Sequence, residues 1–213
     1  MKFSTFFQSI LLCACCLLSE ASGAQQHTIL VLGDSLSAAY GIPQTSGWVH
    51  LLQQELQHSH PQYKVVNASI SGETTFGGRQ RITQALRQHS PDIVILELGA
   101  NDGLRGAPIV DIESNLGALI QQSRQESRKV LLVGIQLPPN YGKNYTVQFK
   151  TLFYRLAQRH HVALVPFMLE NVLPEQFQAD NLHPTAAAQA QILQTILTKL
   201  KPLLKPNNSQ SNL

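Results

Sequence analysis

The sequence predicts an α/β protein: a three-layer α/β/α sandwich, flavodoxin-like, on a five-stranded parallel sheet. Three observations carry that expectation. Short apolar runs alternate with longer amphipathic stretches along most of the chain. The runs are nearly continuous in apolar residues, as strands are when helices cover both faces of their sheet. Segments rich in glycine and small polar residues follow several of these runs, where strand would give way to helix. Right-handed crossovers then favour a doubly wound sheet, although one sequence does not encode the strand order.

Taken in order, strands are expected over Thr28 to Leu32, Lys64 to Ile70, Asp92 to Leu98, Lys129 to Ile135 and Val162 to Val165, all rich in Val, Ile and Leu. Helical periodicity is expected near Ser46 to His58, Gly78 to His89, Val110 to Ser127 and Tyr145 to His160, with a last helix from Thr185 to Lys201. No internal repeat or low-complexity linker divides the chain, so one domain is expected over 25–201. The segment 202–213, rich in Pro, Asn and Ser, is expected to fray.

The first 24 residues read separately. Lys2 precedes a mostly apolar run from Phe6 to Leu18, and the small residues Ala21-Ser22-Gly23-Ala24 follow, which is the pattern of a secretory signal peptide. The run is shorter than the roughly 18 to 20 residues that span a bilayer, so no stable membrane span is expected. Cys13, Cys15 and Cys16 all lie in this leader, and cleavage after Ala24 would leave no thiol for disulfides or catalysis. Export to the periplasm or beyond follows. An alternative reading takes Leu12-Cys13-Ala14-Cys15 as a lipoprotein processing site with Cys15 lipidated.

The net charge of +3 names no partner. Its basic residues are scattered, and no zinc-finger, RNA-motif or basic-helix signature appears, so nucleic acid is excluded as the expected ligand.

Chemistry concentrates at the carboxyl ends of the expected strands, where open parallel sheets gather functional groups. Gly33-Asp34-Ser35-Leu36 follows the first strand. Ser35 would sit in a strand-to-helix turn at a helix start, with its own N–H free; alone it also reads as a turn or N-cap serine, and Asp34 as a loop support. Gly72 follows the second strand, where a glycine lets backbone approach a ligand or simply turns the chain. Asn101 follows the third, where its amide can donate to a developing oxyanion or lock its own turn.

Downstream, Asp180-Asn181-Leu182-His183-Pro184 leads into the last helix. A spacing of three can set the Asp180 carboxylate against one imidazole nitrogen while the other faces Ser35, and Pro184 suits a first helical turn. A serine hydroxyl is a weak nucleophile at neutral pH, so it needs such a base and such an orienting group. With eight histidines in the chain, an exposed loop His is the bland alternative. Gly103-Leu104-Arg105 reads either as a flap over an acyl chain or as a connecting loop, and Pro139 and Tyr141 could line the same crevice.

In order, Gly33-Asp34-Ser35-Leu36, Gly72, Gly99-Ala100-Asn101-Asp102 and Asp180-Asn181-Leu182-His183-Pro184 resemble the four blocks of the SGNH (GDSL) hydrolase family, over essentially the whole chain after the leader. The resemblance implies an α/β/α fold and hydrolysis of esters and thioesters through an acyl-enzyme, without a metal or organic cofactor. It implies Ser35 as nucleophile, His183 as base and Asp180 as orienting acid, with an oxyanion hole from the Ser35 and Gly72 N–H groups and the Asn101 side chain. Ala100 departs from the glycine common there. An acyl ester or lysophospholipid substrate and a monomer are the matching expectations. Three alternatives compete: a carbohydrate O-acetylesterase on the same blocks, a metal-dependent phosphoesterase using Asp34, Asp102 and His183, and a noncatalytic periplasmic lipid-binding module.

Overall fold

The structure of the protein is a computed structural model that describes residues 26–206. Strands β1 (His27–Gly33), β2 (Tyr63–Asn67), β3 (Ile93–Glu97), β4 (Lys129–Val133) and β5 (Ala163–Val165) form one sheet in the order β2-β1-β3-β4-β5. Every neighbouring pair is parallel. This is the flavodoxin-like order, and its reversal of direction falls between β1 and β3. Ile29 to Leu32 on β1 and Ile93 to Leu96 on β3 are fully buried, as central strands covered on both faces must be.

Among the described residues, six α-helices cover the sheet: α1 (Trp48–Ser59), α2 (Thr75–His89), the short α3 (Ala100–Leu104), α4 (Ile109–Ser123), α5 (Lys143–His160) and α6 (Gln189–Leu200). α2, α4 and α5 pack in a row on one face, while α1 and α6 pack together on the other. Each inner face follows the helical repeat. On α5, Phe149, Leu152, Phe153 and Leu156 are buried, spaced at i, i+3, i+4 and i+7.

Several boundaries move from their expected places for local reasons. α2 starts at Thr75 because Thr74 caps it, its hydroxyl accepting the Gly77 N–H at 3.1 Å. α4 stops at Ser123, since Glu126 and Ser127 take left-handed backbone, with φ of 57° and 60°. β2 ends at Asn67, whose amide turns to donate to the Ser37 carbonyl. α6 begins at Gln189, after a 3-10 turn over Ala186–Ala188. Pro184 therefore does not open a helix; it pairs with Phe177 in an antiparallel bridge.

The expected fraying from Pro202 is corrected for its first residues. Lys201–Leu203 form a 3-10 turn, Leu204 joins the core, and the Lys205 N–H donates to the Tyr63 hydroxyl at 2.8 Å. The leader, its cysteines and 207–213 lie outside the described residues.

Two glycines give opposite expectations. A Cβ on Gly134 would fall 2.4 Å from the Pro166 carbonyl oxygen. Gly134→Ala should lower the unfolding free energy by about 1–3 kcal/mol through overpacking. Within α4, a Cβ on Gly117 would meet nothing closer than 3.5 Å. There, Gly117→Ala should stabilise by up to about 1 kcal/mol. Urea titration of both variants checks the packing, and a neutral Gly134→Ala would contradict it.

Candidate active site

The turn after β1 is built around a side chain that glycine leaves room for. A Cβ on Gly33 would lie 2.8 Å from both Glu97 Oε2 and the Ser37 side chain. With no Cβ there, the Ser37 hydroxyl reaches Glu97 Oε2 at 2.6 Å. Asp34 follows, fully buried, its Oδ1 accepting the Leu36 N–H at 3.0 Å. Ser35 thus sits in a tight turn rather than at a helix start, and the next helix begins only at Trp48. Ala39 closes the turn in left-handed backbone, φ 59°. The Ser35 N–H has no hydrogen-bond acceptor among the described residues.

The loop before α6 brings the second half of the site over this turn. Asn181 takes left-handed backbone, φ 54°, which Asn tolerates better than most residues. Asp180 Oδ1 then accepts the N–H groups of Leu182 and His183 at 2.9 and 3.0 Å. Its Oδ2 accepts from His183 Nδ1 at 2.6 Å, and His183 Nε2 lies 2.8 Å from Ser35 Oγ. The carboxylate fixes the proton on Nδ1, so Nε2 is the acceptor for the serine hydroxyl. Those backbone N–H groups, His183's first, hold the Asp180 carboxyl down at about 2. Outside the site, Gln178 Nε2 ties the loop to the Tyr40 and Pro184 carbonyls, and the Tyr40 ring lies against His183 with centroids 4.5 Å apart.

Gly72 has φ 79°, a conformation that disfavours any Cβ even though the space around it is open. Its N–H has no acceptor among the described residues. The turn that carries it is braced by Arg81, which bonds the Glu73 carboxylate at 2.7 Å and the Ala68 carbonyl at 2.6 Å. Asn101 lies on α3 and directs Nδ2 to the Glu73 carbonyl at 3.0 Å and to Asp34 Oδ2 at 3.2 Å. Positive φ falls on Gly99, at 120°, and Ala100 begins the helix, so alanine fits there without strain. Asp102 spends both oxygens on the N–H and hydroxyl of Thr75 and is not turned toward His183.

A cavity of about 430 Å³ opens beside these groups, lined by Ser35, Asn101 and His183 and, on its apolar side, by Leu36, Leu104 and Phe167 among others. A wider groove of about 790 Å³ between α4 and α5 shares no lining residue with it. Of the five residues expected to contact substrate, Leu104 lines the cavity. Gly103 does not; it is buried, where a Cβ would strike Phe149 and Leu137. Arg105 donates to the Gly72 carbonyl at 3.3 Å. Pro139 is outside the lining, which takes Pro138 instead, and Tyr141 bonds the Leu104 carbonyl from outside at 3.0 Å. With Tyr145 also holding the Ala107 carbonyl at 2.6 Å, this stretch is a pinned connection.

Sequence reasoning missed Glu97, Tyr40, Phe167 and Phe177. Glu97 ends an otherwise apolar strand, and a carboxyl in that position is itself a signal. The two phenylalanines follow the fifth strand, and only the sheet order puts them beside Ser35.

Comparison with known proteins follows the same layout. Residues 31–191 match the GDSL-like lipase/acylhydrolase family. The chain is 47% identical over 190 residues to the esterase TesA of Pseudomonas aeruginosa, covering 88% of this chain and 94% of that protein. It is 37% identical over 206 residues to thioesterase 1/protease 1/lysophospholipase L1 of Escherichia coli K12, covering 96% and 98%. The structure matches that of the psychrotrophic esterase EstA from Pseudoalteromonas sp., inhibited by monoethylphosphonate, with a TM-score of 0.79 at 39% identity, covering 83% and 98%.

The depressed Asp180 has a measurable consequence for stability. Its ordinary value is near 3.8, so the unfolded chain takes up this proton first as pH falls. The stabilisation is fully present above pH 3.8 and is lost as pH falls through about 2. The melting-temperature difference between the protein and Asp180→Asn should therefore hold steady across the mildly acid range and shrink only toward pH 2. A difference that collapses already between pH 6 and 4 would contradict the Asp180 geometry.

Proposed function

We propose, from the premise that the chain belongs to the GDSL-like lipase/acylhydrolase family and is a hydrolase of ester bonds, that Ser35, His183 and Asp180 cleave acyl esters through an acyl-enzyme. The observation that carries this reading is the unbroken hydrogen-bonded line from Ser35 Oγ through both imidazole nitrogens to Asp180.

His183 Nε2 takes the hydroxyl proton as Ser35 Oγ attacks the acyl carbon, and Asp180 stabilises the imidazolium that forms. The carbonyl oxygen becomes an oxyanion, accepting from the Ser35 and Gly72 N–H groups and from Asn101 Nδ2. His183 then gives its proton to the leaving alkoxide or thiolate, and the acyl group stays on Ser35 Oγ. A water that loses its proton to His183 attacks that ester, and the carboxylic acid leaves as Ser35 regains its hydrogen. Every proton in the cycle passes through Nε2, so the chain's own residues suffice for the chemistry.

The cavity supports an acyl chain as the preferred substrate portion. Leu36, Leu104, Ile135, Leu137 and Phe167 line it, and an apolar wall rewards methylene groups at roughly 0.8 kcal/mol for each one buried. Fatty, aryl and lysophospholipid esters suit such a wall better than acetylated sugars, whose hydroxyls would find few partners. Thioesters fit the same chemistry. The proposed setting is the periplasm or outside the cell, supported by the leader pattern in the first 24 residues. There, intracellular acyl thioesters would be out of reach. No helix among the described residues is long and apolar enough to cross a membrane, and a monomer acting on diffusible or surface-presented esters is the matching proposal.

Two measurements test this. Ser35→Ala should lose ester hydrolysis and the adduct that an organophosphonate leaves on the intact protein, as read by mass spectrometry. Asn101→Ala should keep the adduct-forming serine but lower kcat by about 10²- to 10³-fold. Retained turnover in folded Ser35→Ala protein would overturn the nucleophile. Across a panel of esters from acetate to palmitate, Leu104→Trp should shift kcat/KM toward shorter chains by filling the cavity. A preference for acetylated sugar over every fatty ester would instead select the carbohydrate esterase reading.

A further inference from the structure

Two carboxyl groups beneath Ser35 take no part in the reaction as drawn. Asp34 is 0% exposed and Glu97 is 1% exposed. β1 and β3 are paired so that Gly33 lies opposite Glu97, which brings Glu97 under the turn that Asp34 opens. Glu97 Oε2 accepts the Ser37 hydroxyl at 2.6 Å and the Asp34 N–H at 3.3 Å. Asp34 Oδ1 accepts the Leu36 N–H, and Oδ2 accepts from Asn101.

No Lys or Arg among the described residues pairs with either carboxyl. The titratable groups facing Asp34 are Glu97 from β3 and His183 from the loop before α6. Asn101 on α3 is its uncharged side-chain partner, while the Ser37 hydroxyl donates to Glu97. Two neighbouring buried carboxyls without a cation resist ionising together in a dry interior. Burial, and then the Asp34 charge, pushes Glu97 well above the usual carboxylate range. Burial also raises Asp34, to about 6, against the N–H of Leu36 and the charge of His183, which pull it down. Glu97 is thus biased toward the neutral acid, and Asp34, whose carboxylate accepts from Leu36 and Asn101, toward bearing the charge.

We propose that Asp34 is a positioning residue: its carboxylate, buried beside Glu97, sets the donor orientation of Asn101 and holds the turn that carries Ser35. An amide side chain can sit two ways round, and the wrong way would aim Asn101 Oδ1 at a developing oxyanion. The Asp34 carboxylate and the Glu73 carbonyl are both acceptors, so only the NH₂ end is stable against them. Protonating Asp34 removes half of that bias and weakens its hold on the Leu36 N–H. The proposal rests on the serine-esterase reading above, but it fails separately from it.

The test is the pH dependence of kcat in three proteins. In the unaltered enzyme, protonation of Asp34 should add a finite decline of about 10- to 100-fold to log kcat as pH falls through about 6, making the acid limb steeper there. Asp34→Asn should lower kcat about 10- to 100-fold at mildly alkaline pH, the scale of losing a charged hydrogen-bond acceptor, and remove that added decline. Glu97→Gln copies a neutral acid's shape and donor, so it should keep kcat within about threefold and keep the steep limb. Phosphonate labelling of Ser35 in all three reports on the nucleophile itself; if Ser35 fails to label even in the unaltered protein, the esterase reading falls instead. Carboxyl carbon resonances of the unaltered protein, followed by NMR, stand independently of any variant's folding and should show Asp34 titrating near 6. The proposal is overturned by an Asp34→Asn enzyme with full kcat and an unchanged limb, by Glu97→Gln being as damaging as Asp34→Asn, or by an Asp34 resonance that titrates in the ordinary carboxylate range.

Discussion

The hydrogen bond between His183 Nε2 and Ser35 Oγ joins residues 148 apart in sequence, and the layout of the site depends on it. Such a bond is weak beside the entropy of ordering two loops, so it persists only because other contacts have already placed both ends. On one side the turn is fixed by Asp34, Ser37 and Glu97. On the other, Asp180 Oδ1 accepts two backbone N–H groups while Oδ2 accepts from the imidazole, and Gln178 anchors the loop to the Tyr40 carbonyl. The Tyr40 ring, lying against His183, leaves the imidazole little freedom to rotate away. Closing so long a separation costs only slightly more than closing a short one, because loop entropy grows with the logarithm of length. The sheet core bears that cost.

The strand order decides which residues that bond can recruit. The direction in which successive strands are added reverses between β1 and β3, leaving a crevice beyond their carboxyl ends where Ser35, the Gly72 turn and Asn101 gather. The same pairing sets Glu97 against Gly33, so the Ser35 turn rests on a buried acid rather than an apolar side chain. Left-handed Asn181 and Ala39, together with two buried carboxyls, are local features that cost stability. They are tolerated beside a core of completely buried Ile, Leu, Phe and Trp side chains. Proteins commonly concentrate such costs where function needs them.

Much of this was legible in the residues themselves. The runs that became β1, β3 and β4 are unmistakable because both faces are buried, and α5 shows its stripe in sequence. Asp180 and His183 could be paired from a spacing of three, because a short loop lets a carboxylate reach its neighbour's imidazole. What could not be read depends on contacts across the sheet. Gly103 looked like loop freedom and is instead a packing necessity against Phe149, set by where α5 lies. Pro139 and Pro138 are indistinguishable by composition, and only the backbone path puts one on the cavity wall. The ends of α4 and α6 were misjudged for the same kind of reason. Left-handed residues at Glu126 and Ser127, and the bridge between Phe177 and Pro184, override the periodicity that would have extended both helices.

The resting state of Asn101 suggests how the proposed oxyanion site discriminates between substrate and transition state. Its amide is not idle, since both hydrogens are already directed at the Glu73 carbonyl and Asp34 Oδ2. A neutral ester carbonyl offers an acceptor no better than the Glu73 carbonyl it would displace, so little is gained by turning toward the bound substrate. An oxyanion is different: bonds to a charged acceptor are roughly twice as strong, and a water-poor cavity strengthens them further. The exchange becomes favourable only as charge develops on the oxygen. A donor held in this way contributes little to ground-state affinity and much to the barrier, which is the condition under which binding energy accelerates a reaction. The acceptors around Asn101 therefore act as a threshold, keeping its NH₂ aimed correctly while reserving it for the one species negative enough to draw it away.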